Sequence, residues 1–210
     1  MEKYYSVQMK RVFSNVELTK LYRDEQKSAS FIAQRFSCSQ NKINYWLKKY
    51  KIQKRGISDA LYIKHNPKGD PFVYSEPHDK ESSFLLGLGL GLYWGEGNKK
   101  NKTTVRLGNT DPHLIKKFIE FLARVYHVKR KKFRFGLQIF SDMNPSAALS
   151  FWSHHLGFSR DHFGKVIVTP ARSLGTYKEK TKHGVLTIYV SNRKLRDLIN
   201  DQIEMLKIAG

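Results

Sequence analysis

The chain of 210 residues has a single cysteine, Cys38. That excludes an internal disulfide and a cysteine-based zinc site, and it agrees with a reducing cytoplasm. Its longest apolar run, residues 84–94, is 11 residues long, whereas a bilayer crossing needs roughly 20; no membrane partner is expected. Residues 1–8 lack the apolar core of a secretory signal, so a cytoplasmic location is expected. The glycines fit G-x-G-x-x-G in no register, and neither a phosphate loop nor a nucleophile set is present, so no small-molecule substrate is indicated. Tandem repeats and low-complexity tracts are also missing. Acidic residues are scarce: 18 stand against 38 lysines and arginines, a net charge of +20. An excess of this size points to a polyanionic partner, above all nucleic acid. Residues 1–50 carry +6 and residues 128–210 carry +9, so the charge is not confined to one tail.

What is present argues for folded cores, with 40% hydrophobic and 13% aromatic residues. The length allows one large or two small domains. Residues 14–50 show helical spacing three times. Ser14 or Asn15 caps the first helix, Ser28 opens the second, and Ser37-Cys38-Ser39 turns into a third over residues 40–50. Two short helices with Ala33 at their crossing read as a helix-turn-helix, similar to those of resolvases and many transcription regulators, though no glycine stands in the turn. In such a unit the second helix enters the major groove. Ser39, Gln40, Asn41 and Asn44 would meet base edges there, since Asn and Gln pair bidentately with adenine. Lys48 would meet phosphate and set register. The expected domain is residues 1–52. Residues 53–81, broken by Gly56, Pro67, Gly69, Pro71 and Pro77, read as a linker from which Arg55 could enter a minor groove.

Residues 82–210 read as a second, α+β domain in the order helix, strand, helix, strand, helix, strand, strand, helix. The clearest strand is residues 133–140, where Phe133, Phe135, Leu137 and Ile139 alternate with Lys132, Arg134, Gly136 and Gln138. Further strands are expected at residues 103–109, 163–169 and 185–190, with a long basic connection from Arg172 to His183. One antiparallel or mixed sheet covered by helices on one face would leave Arg106, Lys132, Arg134, Gln138 and Lys165 on the other. His154-His155 with Asp161 and His162 could suggest a metal, but adjacent helical residues point about 100° apart, which disfavours a shared ion.

Residues 84–97 organise the chain. Gly87, Gly91 and Gly95 recur at four-residue spacing and would line one helix face. Interior glycines cost a helix roughly 1 kcal/mol each, which is tolerable where a second helix approaches closely. Such a face, flanked by Leu88 and Trp94, is expected to form a seam between two copies. Glu96 ends the helix, where the dipole favours cations over carboxylates; it calls for a positive partner.

These residues resemble the LAGLIDADG motif of homing endonucleases. Gly91, Leu92, Gly95, Glu96 and Gly97 match the motif's glycine, leucine, small, acidic and glycine positions, and Trp94 stands where the family often has a further acid. The resemblance implies a saddle-shaped sheet laid along double-stranded DNA and two crossed motif helices. In that family the acid ending each helix holds a divalent metal, here Mg²⁺ or a similar ion, at a DNA-cleaving centre. One motif is present, so Glu96 would come from each chain of a homodimer. Lys99, Lys100 and Lys165 would then stabilise charge on the phosphorus, and Gln138 would position water. The usual hairpin after the motif helix is shortened, and a helix stands between the strands. Related domains also occur in non-cleaving regulators, and a basic sheet suits RNA as well.

Overall fold

A computed structural model describes residues 12–171 and 182–208. The chain divides into two compact units, Met1–Pro71 and Phe72–Gly210.

In the first unit three serines start three helices. Ser14, Ser28 and Ser39 each accept a hydrogen bond from the backbone N–H three residues on, at 3.0, 3.1 and 3.2 Å; each satisfies one of the orphan donors of a helix N-terminus. They open α1 (Asn15–Thr19), α2 (Ala29–Arg35) and α3 (Gln40–Lys49). A single π-helical turn, Lys20–Asp24, continues α1. Leu18, Leu21, Ile32, Ala33, Ile43 and Leu47 are buried between them, and Ile52 and Phe13 close the cluster. Ser37 carries the tight turn from α2 into α3 at φ +49°, and Cys38 N–H bonds back to the Ala33 carbonyl at 2.9 Å. Cys38 is half-buried against this core.

The expected linker is divided between the units. Ile57–His65 forms a helix, α4, with no buried residue. Residues 72–79 belong to the second unit, because Phe72 and Tyr74 are apolar enough to pack on its core. Val73 and Ser75 donate to the carbonyls of Tyr126 and Val125, both at 3.0 Å.

The second unit is α+β. Its elements are α5 (Lys80–Glu96), β1 (Thr104–Asn109), α6 (Pro112–Arg124), β2 (Arg134–Phe140), α7 (Pro145–Leu156), β3 (Ile167–Thr169), β4 (Val185–Ser191) and α8 (Arg193–Ile208). Asp79 caps α5 in a reciprocal box: its carboxylate accepts from Ser82 N–H at 2.7 Å while Ser82 Oγ accepts from Asp79 N–H at 3.3 Å. Asp111 and Asn144, each followed by proline, start α6 and α7, and left-handed Gly157 stops α7.

The four strands form one mixed sheet in the order β1-β4-β2-β3. β4 pairs antiparallel with both neighbours, and β3 runs parallel to β2. The expected strand over residues 163–169 is only Ile167–Thr169. Arg160–His162 forms a 3₁₀ turn ahead of it, and Gly164 interrupts the run after Phe163 makes one bridge to Phe135. Val105, Leu107, Phe135, Leu137, Ile139, Leu186, Ile188 and Val190 are buried on one face, against which α5 to α8 pack. Most of the basic connection expected from Arg172 to His183 lies outside the described residues.

Candidate nucleic-acid interface

The strand register determines what the sheet face left uncovered by the described residues presents. Side chains alternate along a strand, so residues paired with one another share a face. Arg106 pairs with Tyr189, and Tyr189 with Arg134; Gly108 pairs with Thr187, and Thr187 with Gly136; Val185 pairs with Gln138, and Gln138 with Ile167. Three transverse rows therefore lie side by side. The first is two arginines flanking a tyrosine, with the Arg106 guanidinium 5.9 Å from the Tyr189 ring centre. The second is a threonine between two glycines, a strip with almost no side-chain relief. Arg134 and Gln138 are exposed and Arg106 half-exposed. Arg134 also donates to the carbonyls of Lys131 and Phe133, at 2.9 and 2.8 Å, which holds it over the turn leading into β2. Lys132 in that turn is exposed. No strand position on this face is a carboxylate.

Across the sheet the row Gly97–Leu107–Ile188–Phe135–Phe163 runs from the end of α5 to the opposite edge. At about 4.8 Å per strand, Phe163 stands roughly 19 Å from Gly97. Lys165 follows Phe163 by two residues, and Gln138 lies on β2, three strand spacings from Gly97. Neither converges with Glu96 within one chain. Within one chain the sheet order sets Gln138, on β2, and Lys165, in the stretch between Phe163 and β3, apart from Glu96 and Lys99; the expected site is one shared by two chains.

Glu96 is exposed at the last position of α5. The turn that follows is tightly tied. Asn98 Oδ1 accepts from the N–H groups of Lys100 and Asn101 at 3.1 and 3.2 Å, and Asn98 N–H donates to the Arg106 carbonyl at 2.8 Å. Arg196, reaching from α8, donates to the Lys99 carbonyl at 2.8 Å. Lys99 Nζ bonds back to the Trp94 carbonyl, so its charge caps the C-terminus of α5 rather than standing free. Lys100 is exposed. Burial pushes the neighbouring Tyr93 phenol up, against the opposing charge of Arg196.

The glycines of α5 fall into two groups. Gly89 is buried under Phe121, and a β-carbon at Gly97 would strike the carbonyl and ring of Tyr93. Gly87, Gly91 and Gly95 face open space. Beside them Phe84 is 67% and Trp94 46% exposed, and Leu88 is half-buried. One face of α5 is therefore smooth and apolar, with nothing over it among the described residues.

In the first unit, Gln40, Asn41, Lys48 and the cap Ser39 are exposed, and Asn44 is half-exposed. The expected role of Arg55 is corrected. Its guanidinium stacks on Tyr22 at 4.0 Å from the ring centre and donates to the Lys27 carbonyl at 3.0 Å, which commits it to closing the helical unit. Arg172 lies outside the described residues.

Tyr189, Thr187 and the two sheet glycines are not picked out by the pattern of residues alone; their significance rests on strand pairing. Tyr45 also escapes the charge and amide pattern, although its place on α3 opposite Ile43 and Leu47 could have identified it. The histidines gather differently from the sequence expectation. His155 sits edge-on to His113, with ring centres 5.2 Å apart, and stacks on Phe151. Burial lowers the His155 pKa, helped by His113, Lys116 and His154 and opposed by Asp111. No group of three His, Cys, Asp or Glu side chains able to hold a metal occurs among the described residues. No helix among them is long and apolar enough to cross a membrane. Comparison with protein-family models, with characterised proteins and with solved structures returned no match.

Proposed function

We propose that this chain binds double-stranded DNA through two surfaces. The carrying observation is that the outward stripe of α3 and the uncovered sheet face both present amides and cations and no carboxylate. In this reading α2 and α3 are a helix-turn-helix, α3 enters the major groove, and the sheet is a saddle along the duplex. Asn41 and Asn44 read adenine, while Lys48, Arg106, Lys132 and Arg134 contact phosphate and set register. The net charge of +20 supplies the long-range attraction.

The uncovered glycine face of α5 supports a homodimer. Two helices can approach closely where Gly87, Gly91 and Gly95 leave open space, with Phe84, Leu88 and Trp94 covering the rim. Such a seam would bring the Glu96 residues of two copies toward one another. One chain alone does not fit a divalent ion, since it offers one exposed carboxylate at this place. Two copies fit better, because the two Glu96 carboxylates would together anchor an ion whose other positions phosphate oxygens and water can fill. When bound, the ion neutralises phosphate charge and makes hydroxide available for phosphodiester hydrolysis. Glu96 would hold it; Lys100 would face the phosphates, and Arg196 would fix the turn that carries both.

Supercoiled plasmid, Mg²⁺ and the Glu96→Gln variant test the endonuclease reading. Wild type should nick or linearise the plasmid, and Glu96→Gln should bind it equally and leave it intact; cleavage that survives the change removes Glu96 from the chemistry. The solitary exposed carboxylate favours a second reading, a non-cleaving transcriptional regulator, which predicts equal binding with and without Mg²⁺ and no product. Competition by duplex RNA tests the RNA-binding alternative.

A further inference from the structure

The middle of the outward face of α3 carries an aromatic residue, Tyr45. With Ile43 and Leu47 buried and Trp46 and Tyr50 half-buried, the residues turned farthest from the core, at about 100° per residue, are Asn41, Tyr45 and Lys48. Tyr45 is 60% exposed. Its ring stands edge-on to Trp46, with centres 5.6 Å apart at 83°, and the Lys49 ammonium lies 4.6 Å from the centre of the Trp46 ring. A tyrosine held outward at the centre of an otherwise polar and cationic face gives that face one apolar surface with a polar tip.

We propose that Tyr45 is a specificity-determining residue that reads thymine through its 5-methyl group; this rests on the DNA-binding reading of α3. A helix seated with its outermost stripe toward the groove floor places its central residue against base edges and its terminal lysines against phosphates. The thymine methyl is the apolar group that a duplex presents in the major groove, so it is the natural partner of the phenyl face. Asn41 and Asn44 beside it match adenine. The half-site is therefore biased toward A·T pairs, with at least one thymine sensed by shape rather than by hydrogen bonding.

The test uses the full chain. A duplex pool with a randomised core is enriched on the wild-type protein, and each thymine of the enriched site is then replaced in turn by deoxyuridine. Removing the sensed methyl should weaken wild-type binding about fourfold, the worth of one buried carbon. Tyr45→Phe should keep that loss and Tyr45→Ala should abolish it. Both variants should still melt cooperatively as folded proteins, and the salt dependence of binding, which a phosphate contact would alter, should be unchanged. If a site is enriched but no thymine shows a methyl effect, or Tyr45→Ala senses the methyl as wild type does, the assignment to Tyr45 falls and the DNA reading stands. If no sequence is enriched, base reading by α3 falls and the Tyr45 assignment with it.

Discussion

The ring of Phe121 on α6 lies so close over Gly89 of α5 that a β-carbon at residue 89 would collide with it. Gly89→Ala must therefore shift a fully buried ring. The expected cost is about 1–3 kcal/mol, the range for overpacking a core, read from urea unfolding.

The glycines on the opposite side of the helix should behave in the opposite manner. A β-carbon at Gly91 would have no neighbour within 4 Å, so Gly91→Ala gains about 1 kcal/mol of helix propensity in the isolated chain. The bulky change Gly91→Phe should preserve the fold and abolish self-association in sedimentation if this face is the dimer seam. A Gly91→Phe protein that associates as wild type does would place the seam elsewhere.

Much of the local structure was legible because its signals are local. The helix starts at Ser14 or Asn15 and at Ser28 and the alternation over residues 133–140 each depend on a few neighbours. The sheet order was not legible, because β4 inserts between β1 and β2 by pairings 47 to 87 residues apart in sequence. That order determines which residues meet, so Tyr189 between Arg106 and Arg134 became visible only with it. The different environments of Gly89 and Gly91 likewise depend on where α6 packs, which helical periodicity in α5 cannot reveal.

Ser37 holds the α2–α3 turn in the left-handed region at φ +49° without being glycine. A side chain there costs about 1–2 kcal/mol, part of which glycine returns as unfolded-state freedom. Ser37→Gly should raise stability by up to about 1 kcal/mol and leave DNA affinity unchanged. Thermal melting and duplex binding on the same preparation check both halves.

Hydrogen bonds from Ser82 hold the Asp79 carboxyl below the usual carboxylate range, backbone N–H first and side chain second. The sign follows from linkage: a carboxyl whose folded pKa is depressed contributes stability above its unfolded value, near 3.9, and loses it as pH falls through the folded value. Asp79→Asn should therefore lower the melting temperature at neutral pH, and the difference from wild type should shrink as pH falls below the unfolded value. A difference constant with pH would show that the charge of Asp79 contributes nothing to α5.

On the uncovered sheet face, Arg106→Ala should weaken binding to all duplexes alike and reduce the slope of log affinity against log salt by about 1, the signature of one lost phosphate contact. Tyr45→Ala should do the reverse, lowering discrimination between sequences at an unchanged slope.

The central claim is that this chain grips duplex DNA with both α3 and the open sheet. Its most direct measurement is the dissociation constant of the full chain for a mixed-sequence duplex, followed across salt concentration. The account predicts tight binding at low salt that falls on the order of 10³-fold or more between about 50 and 200 mM, with shallower slopes in both Lys48→Ala and Arg106→Ala. Binding that ignores salt, or slopes unchanged by both substitutions, would contradict it.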